Sequence, residues 1–157
     1  MDAEQAKLEI PDLLTPRSVV AQLRAPTKRQ VLQELARRAS TMTGIADKRI
    51  YDALNERERL GTTGIGMGVA IPHCRLAGLT RLYGFFARLE RPVPFDAIDD
   101  QPVDLVFLLL APQDAGAEHL KALARVSRLL RDRATCEKLR GANSADALYA
   151  LLTEGPA

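Results

Sequence analysis

Apolar positions along this chain fall into segments of two periods, separated by glycine and proline. Between Thr27 and Gly44, Val31, Leu32, Leu35, Ala39 and Met42 recur at helical spacing, which predicts an amphipathic helix. Thr27 followed by Gln30 reads as a capping box at its start, and Gly44 closes it. Asp47 is placed to cap a second helix whose Ile50, Tyr51 and Leu54 turn inward and whose polar end, NERERL, runs into Gly61. Strand signals lie at Ser18–Leu23, Val69–Ile71, Leu82–Arg88 and Val103–Leu110. The last, VDLVFLLL, is apolar almost throughout, as in a strand covered on both faces inside an α/β sheet. Between the last two, ERPVPFDAIDDQP carries three prolines and three aspartates and predicts irregular connection. From Ala117 on, Leu120, Leu123, Ala124, Ser127 and Leu130 predict the inner stripe of a helix, with Arg125, Arg128 and Arg131 on its other side. A short helix around Cys136 and a final one, capped by Ser144 and carrying Leu148, Leu151 and Leu152, complete the pattern.

Helices before, between and after short strands predict an α/β single-domain sandwich with a mixed central β-sheet flanked by helices. The polar, aperiodic residues 1–12 read as a flexible N-terminal arm, residues 13–153 as the domain and residues 154–157 as a C-terminal tail.

Composition narrows the classes without naming one. With 46% hydrophobic and 27% charged residues, the 157-residue chain has the balance of one soluble domain. Its 22 basic and 20 acidic residues are interspersed, with no polybasic tract to track a phosphate backbone, so nucleic acid is not implied. No apolar run approaches the roughly 20 residues that cross a bilayer. Two cysteines, Cys74 and Cys136, and no signal-like segment point to free thiols in the cytoplasm.

The candidate chemistry is concentrated in GTTGIGMGVAIPHCR, residues 61–75. Gly61 and Gly66 have P-loop spacing, yet Met67 and Gly68 stand where lysine and a hydroxyl residue are required, and Gly64, Gly66 and Gly68 miss the dinucleotide fingerprint. Both nucleotide readings fail, which leaves a turn or an amide nest for an anion over Thr63, Gly64, Gly66 and Gly68. His73 follows a strand and the stiff Pro72, a place where α/β proteins display functional side chains. His119, a short loop after the core strand, is positioned to join it. A metal site lacks ligand spacing, and no cofactor is implied. A Cys74 nucleophile is disfavoured because strand neighbours point to opposite faces. Arg57 and Arg59 end the second helix, where cations complement the dipole and a guanidinium also suits a phosphate. The stripe Arg125, Arg128 and Arg131 reads as a solvated face or a docking surface for an acidic patch.

With ERERLGTTGIGMGVAIPHCR, PFDAIDDQPVDLVFLLLAP, EHL and ALYALL in place, the chain resembles the nitrogen-regulatory type of enzyme IIA domain of the phosphoenolpyruvate-dependent phosphotransferase system. It is similar also to the fructose and mannitol IIA domains, over roughly residues 13 to 152. The resemblance implies a mannitol-type IIA fold and a phosphohistidine carrier in which His73 takes a phosphoryl group on Nε2 from an HPr-like donor. It maps the phosphate-contacting arginine onto Arg57 and the second histidine onto His119. Cys74 stands where the family often has glycine or another small residue, and Met67 lies in a variable position. The implied partners are the HPr-like donor and regulated targets such as transporters or kinases, without membrane insertion. A sugar-specific IIA that passes phosphate to a permease-linked IIB, and a docking regulator without chemistry, are the alternatives.

Overall fold

The computed structural model describes residues 9–154. Residues 1–8 of the expected arm and 155–157 of the expected tail lie outside them. The rest of the arm segment is structured: Ile10–Asp12 form a 3-10 turn whose Ile10 is buried. A second 3-10 turn, Pro16–Ser18, leads into strand β1 (Val19–Leu23).

Helix α1 (Lys28–Thr43) follows the sequence pattern closely. The Thr27 Oγ1 accepts from the Gln30 amide at 3.2 Å, and Gly44 ends the helix at φ +79°, a left-handed conformation that glycine adopts without a Cβ clash. Gln30 does not complete a capping box; its Oε1 accepts from the Thr27 hydroxyl instead. Helix α2 spans Asp47–Arg59. Asp47 is its first helical residue and Ala46 holds the cap position, so the expected cap is replaced by an acidic first turn that complements the dipole.

Six strands form one mixed sheet, five of them in the order β1-β5-β6-β3-β2 and the sixth, β4, paired with β6 off that path. Besides β1 they are β2 (Gly64–Gly66), β3 (Val69–Ala70), β4 (His73–Leu76), β5 (Tyr83–Val93) and β6 (Val103–Pro112). β5 runs parallel to β1 and antiparallel to β6, while β3 and β4 both pair parallel to β6. In the register, Ala70 faces Val106 and His73 faces Leu109, so β3 and β4 lie end to end along one edge of β6. Ile71 and Pro72 interrupt that edge, with the Pro72 carbonyl still accepting from the Leu109 amide at 2.9 Å. Proline has no N–H to continue the ladder, which divides one edge into two short strands.

The expected connection after Arg88 is strand as far as Val93. Burial then continues to alternate through Val93, Phe95 and Ala97, all inward, past exposed Pro94 and Asp96. The prolines there are outward members of an extended segment.

Helices α3 (Ala117–Arg131), α4 (Arg133–Gly141) and α5 (Ala145–Glu154) cover one face of the sheet, and α1 and α2 the other. β6 serves both: Leu105, Phe107 and Leu109 join the core of α3–α5, while Val106, Leu108 and Leu110 join that of α1 and α2. The inner stripe of α3 is His119, Ala122, Val126, Leu129 and Leu130, whereas Leu120 is 64% exposed. One residue of offset turns a helix by about 100°, so reading Leu120 as the first inward position misplaced the stripe. Among the described residues, no helix is long and apolar enough to cross a membrane.

Candidate functional site

His73 opens β4 where the edge strand restarts after Pro72, and two contacts fix its ring. Its Nδ1 lies 2.8 Å from the Ile71 carbonyl, and its Nε2 is 3.3 Å from the Arg57 Nε. A carbonyl only accepts and a guanidinium only donates, so the proton sits on Nδ1 and the lone pair on Nε2. The Ile71 bond spans two residues across a proline of fixed φ, which makes the tautomer a property of the local chain. Ile71 is itself anchored by its amide, which donates to the Thr63 carbonyl at 3.0 Å. Burial chiefly, with the nearby Arg57 cation adding to it, holds His73 below the ordinary histidine range against the opposing pull of the Ile71 bond and Glu58. The ring is therefore neutral at pH 7.

Arg57 comes from the last turn of α2. It reaches His73 with Nε and closes its own helix end with Nη1, which donates to the Gly61 carbonyl at 2.9 Å. Its neighbour Arg59 is directed elsewhere, 3.7 Å from Glu56 on the exposed side of the helix.

His119 approaches from the first turn of α3. The two imidazoles meet edge to face, with centroids 5.6 Å apart and planes at 71°. His119 is only 5% exposed. Its Nδ1 accepts from the Arg75 Nε at 3.1 Å, while Nε2 has no hydrogen-bond partner among the described residues. Burial, then the neighbouring His73 and the Arg75 cation, push its pKa down to about 4. The two histidines meet at one place, with His119 entering from a helix and not from a strand end.

The residue that sequence reasoning passed over is Arg75. Strand alternation puts His73 and Arg75 on one face of β4, with Cys74 and Leu76 in the core of α1 and α2. The same alternation that demoted Cys74 carried the signal for Arg75. Burial raises the Cys74 thiol to about 12, so it is inert as a nucleophile. Cys136 is also free and buried, and its Sγ donates to the Leu130 carbonyl at 3.1 Å.

In the glycine-rich stretch, two of the four residues expected to form a nest have their amides bonded within the protein. Thr63 is buried, and its amide and hydroxyl both bond the Glu58 carboxylate, which also pairs with Lys28 at 2.8 Å. The Gly64 amide donates to the Thr62 Oγ1, and the Met67 amide is taken by Asp99 at 3.0 Å. Gly64, Gly66 and Gly68 build the tight β2–β3 hairpin, and what lies over them is Ala97, Asp99, and Asp104 with Arg140, respectively. Of the amides expected to bind an anion, that of Thr63 is held by a carboxylate and that of Gly64 by a hydroxyl. The hairpin's part is to pin Ile71, and through it His73.

The arginine stripe of α3 divides as well. Arg125 is half-buried and pairs with Glu9 at 3.2 Å, while Arg128 and Arg131 are exposed.

The site thus offers one bare imidazole nitrogen, a guanidinium touching it, and a buried histidine with a free N–H beside it. This set suits transfer of a tetrahedral anion: a neutral nucleophile, with donors that can neutralise the oxygens.

Comparison with known proteins gives this arrangement a context. The sequence profile of the family described as "Phosphoenolpyruvate-dependent sugar phosphotransferase system, EIIA 2" matches residues 12–155. A "Nitrogen regulatory protein" of Bradyrhizobium diazoefficiens is 51% identical over 150 residues, covering 96% of this chain and 98% of its own. Among solved structures, the nitrogen regulatory protein IIA-Ntr of Neisseria meningitidis superposes with a TM-score of 0.87 at 35% identity, over 92% of this chain and 99% of that one. The IIA mannitol structure from Escherichia coli, at 21% identity, shares the fold with a TM-score of 0.74 over 88% of this chain and 98% of its own.

Proposed function

Since the chain belongs to the EIIA 2 family of the phosphoenolpyruvate-dependent sugar phosphotransferase system, we propose that it is a phosphohistidine carrier in the regulatory branch of that system. The observation that carries the reading is the tautomer of His73, with Nδ1–H held by Ile71 and the Nε2 lone pair facing Arg57. The high identity to a protein named for nitrogen regulation favours the regulatory branch over sugar uptake.

The donor is an HPr-like protein that carries phosphate on a histidine. His73 Nε2 attacks phosphorus in line; the new N–P bond forms as the donor's N–P bond breaks, and the donor imidazole keeps the electron pair. The reaction exchanges one phosphoramidate for another, so it runs readily in both directions. As positive charge grows on the His73 ring, the Ile71 carbonyl stabilises it by accepting the Nδ1–H bond. Arg57 must release Nε2 and turn its guanidinium to the phosphoryl oxygens, a movement that costs little because Nη1 keeps its bond to Gly61. His119 brings its Nε2–H to the same oxygens. In the product, a phosphoryl group with roughly two negative charges at pH 7 is joined to a ring that carries one positive charge while Nδ1 stays protonated, so a net negative charge sits where a neutral ring had been. Regulated targets such as transporters or kinases would read this change at the docking face.

Incubation with a phosphorylated HPr-like donor tests the reading. An acid-labile, base-stable phosphate is expected on the wild-type protein and none on His73→Ala. Undiminished label on His73→Ala would refute it.

A further inference from the structure

The proposed chemistry leaves one contact without a task. Arg75, on the strand face it shares with His73, places its Nε 3.1 Å from the Nδ1 of His119. A guanidinium is protonated in any folded protein and cannot accept a hydrogen bond. Nδ1 of His119 must therefore present its lone pair to Arg75, and the ring's single proton lies on Nε2. That nitrogen is buried without a partner among the described residues, in a side chain packed edge to face on His73. A buried donor left unbonded carries a desolvation cost. Such a cost persists where a ligand supplies the missing acceptor.

From this juxtaposition we infer that Arg75 is a positioning residue that locks His119 in its Nε2–H tautomer, so that the buried N–H is aimed at an oxygen of the phosphoryl group on His73. The inference rests on the phosphoryl reading and deepens it. Both histidines are then held in defined tautomers by different means. The chain itself sets His73, through Ile71 two residues away; a long-range side chain sets His119, from 44 residues earlier in the sequence. Without Arg75 the neutral His119 divides between two tautomers, and in one of them a lone pair faces the phosphoryl oxygens. Lysine at this position is a donor of the same charge and can hold the same tautomer; leucine cannot.

The experiment compares wild type, Arg75→Leu and Arg75→Lys above pH 7, where both histidines are neutral. Nitrogen-15 spectra of the imidazoles report the tautomer, and single-turnover phosphorylation by the HPr-like donor reports transfer. In the wild type His119 shows a protonated Nε2 and a bare Nδ1. Arg75→Leu is expected to give mixed tautomers and transfer slowed between about 10-fold and 100-fold, by analogy with the loss when the hydrogen-bond partner that orients a metal-bound histidine is removed. Arg75→Lys is expected to restore the tautomer and most of the rate. Retention of the Nε2–H form in Arg75→Leu would overturn the lock, and so would a changed tautomer with an unchanged rate. Failure of the underlying reading would look different: His73 would take no phosphate in any of the three proteins, whatever their spectra.

Discussion

Lowering the pH should weaken the folded protein through His119 before its carboxylates titrate, because this ring is buried against one cation and one imidazole. In the unfolded chain an imidazole titrates near 6.5, while in the fold His119 is held down to about 4. At about 1.4 kcal/mol for each tenfold difference in proton affinity, the gap amounts to about 3 kcal/mol. Above pH 6.5 the ring is neutral in both states and stability is unaffected. As pH falls below 6.5 the unfolded chain binds a proton that the folded chain refuses, so stability drops; near pH 4 the folded ring accepts it too and the loss levels off. Protonation would put a second N–H against Arg75 and a charge beside His73. Urea denaturation at pH 7 and at pH 4.5 measures this, with His119→Gln as the reference. His73 and the carboxylates titrate in both proteins, so the difference between the two pH dependences isolates His119. The wild type should lose about 2 to 3 kcal/mol more than His119→Gln between those pH values. Parallel pH dependences, or an NMR titration of His119 centred near 6.5, would refute the reasoning.

Three further outcomes follow from other contacts. Arg57→Ala should slow phosphoryl transfer by about 10²-fold to 10³-fold, the loss typical of one charge-stabilising donor, while the melting temperature changes little, since among the described residues its hydrogen bonds go to His73 and a helix-end carbonyl alone. Gly64→Ala should destabilise the hairpin by about 1 to 3 kcal/mol in chemical denaturation, because an added Cβ would come within 2.9 Å of the Ala97 Cβ, in a segment tied to Ile71. Native protein should leave Cys74 unlabelled by a thiol reagent at pH 8 and react only on unfolding, given its burial and raised pKa.

The sequence was most informative where one physical cause dominated. VDLVFLLL could only be a strand buried on both faces, and helix α1 carried period, cap and terminal glycine together. His73 was legible because proline and the failed nucleotide spacings left it alone at the end of an apolar run. β2 and β4, at three and four residues, are too short to display a period, so the edge of the sheet was under-read. Three prolines hid the alternation of Val93, Phe95 and Ala97. The inner stripe of α3 was misplaced because His119 was treated as a site residue and not as a buried position, although it is both. No spacing shows that Glu58, from before the hairpin, takes the Thr63 amide, or that Asp99, 32 residues beyond Met67, takes the Met67 amide beside the glycines.

Phosphoryl transfer should mark a single atom, Nε2 of His73. Phosphorylated protein prepared with the HPr-like donor can be examined by phosphorus-31 and proton–nitrogen-15 NMR, which distinguish the two ring nitrogens of a phosphohistidine. A single phosphoramidate on Nε2 of His73, with Nδ1 still protonated, is the predicted result. Phosphate on Nδ1, or on any residue other than His73, would rule out Nε2 of His73 as the acceptor.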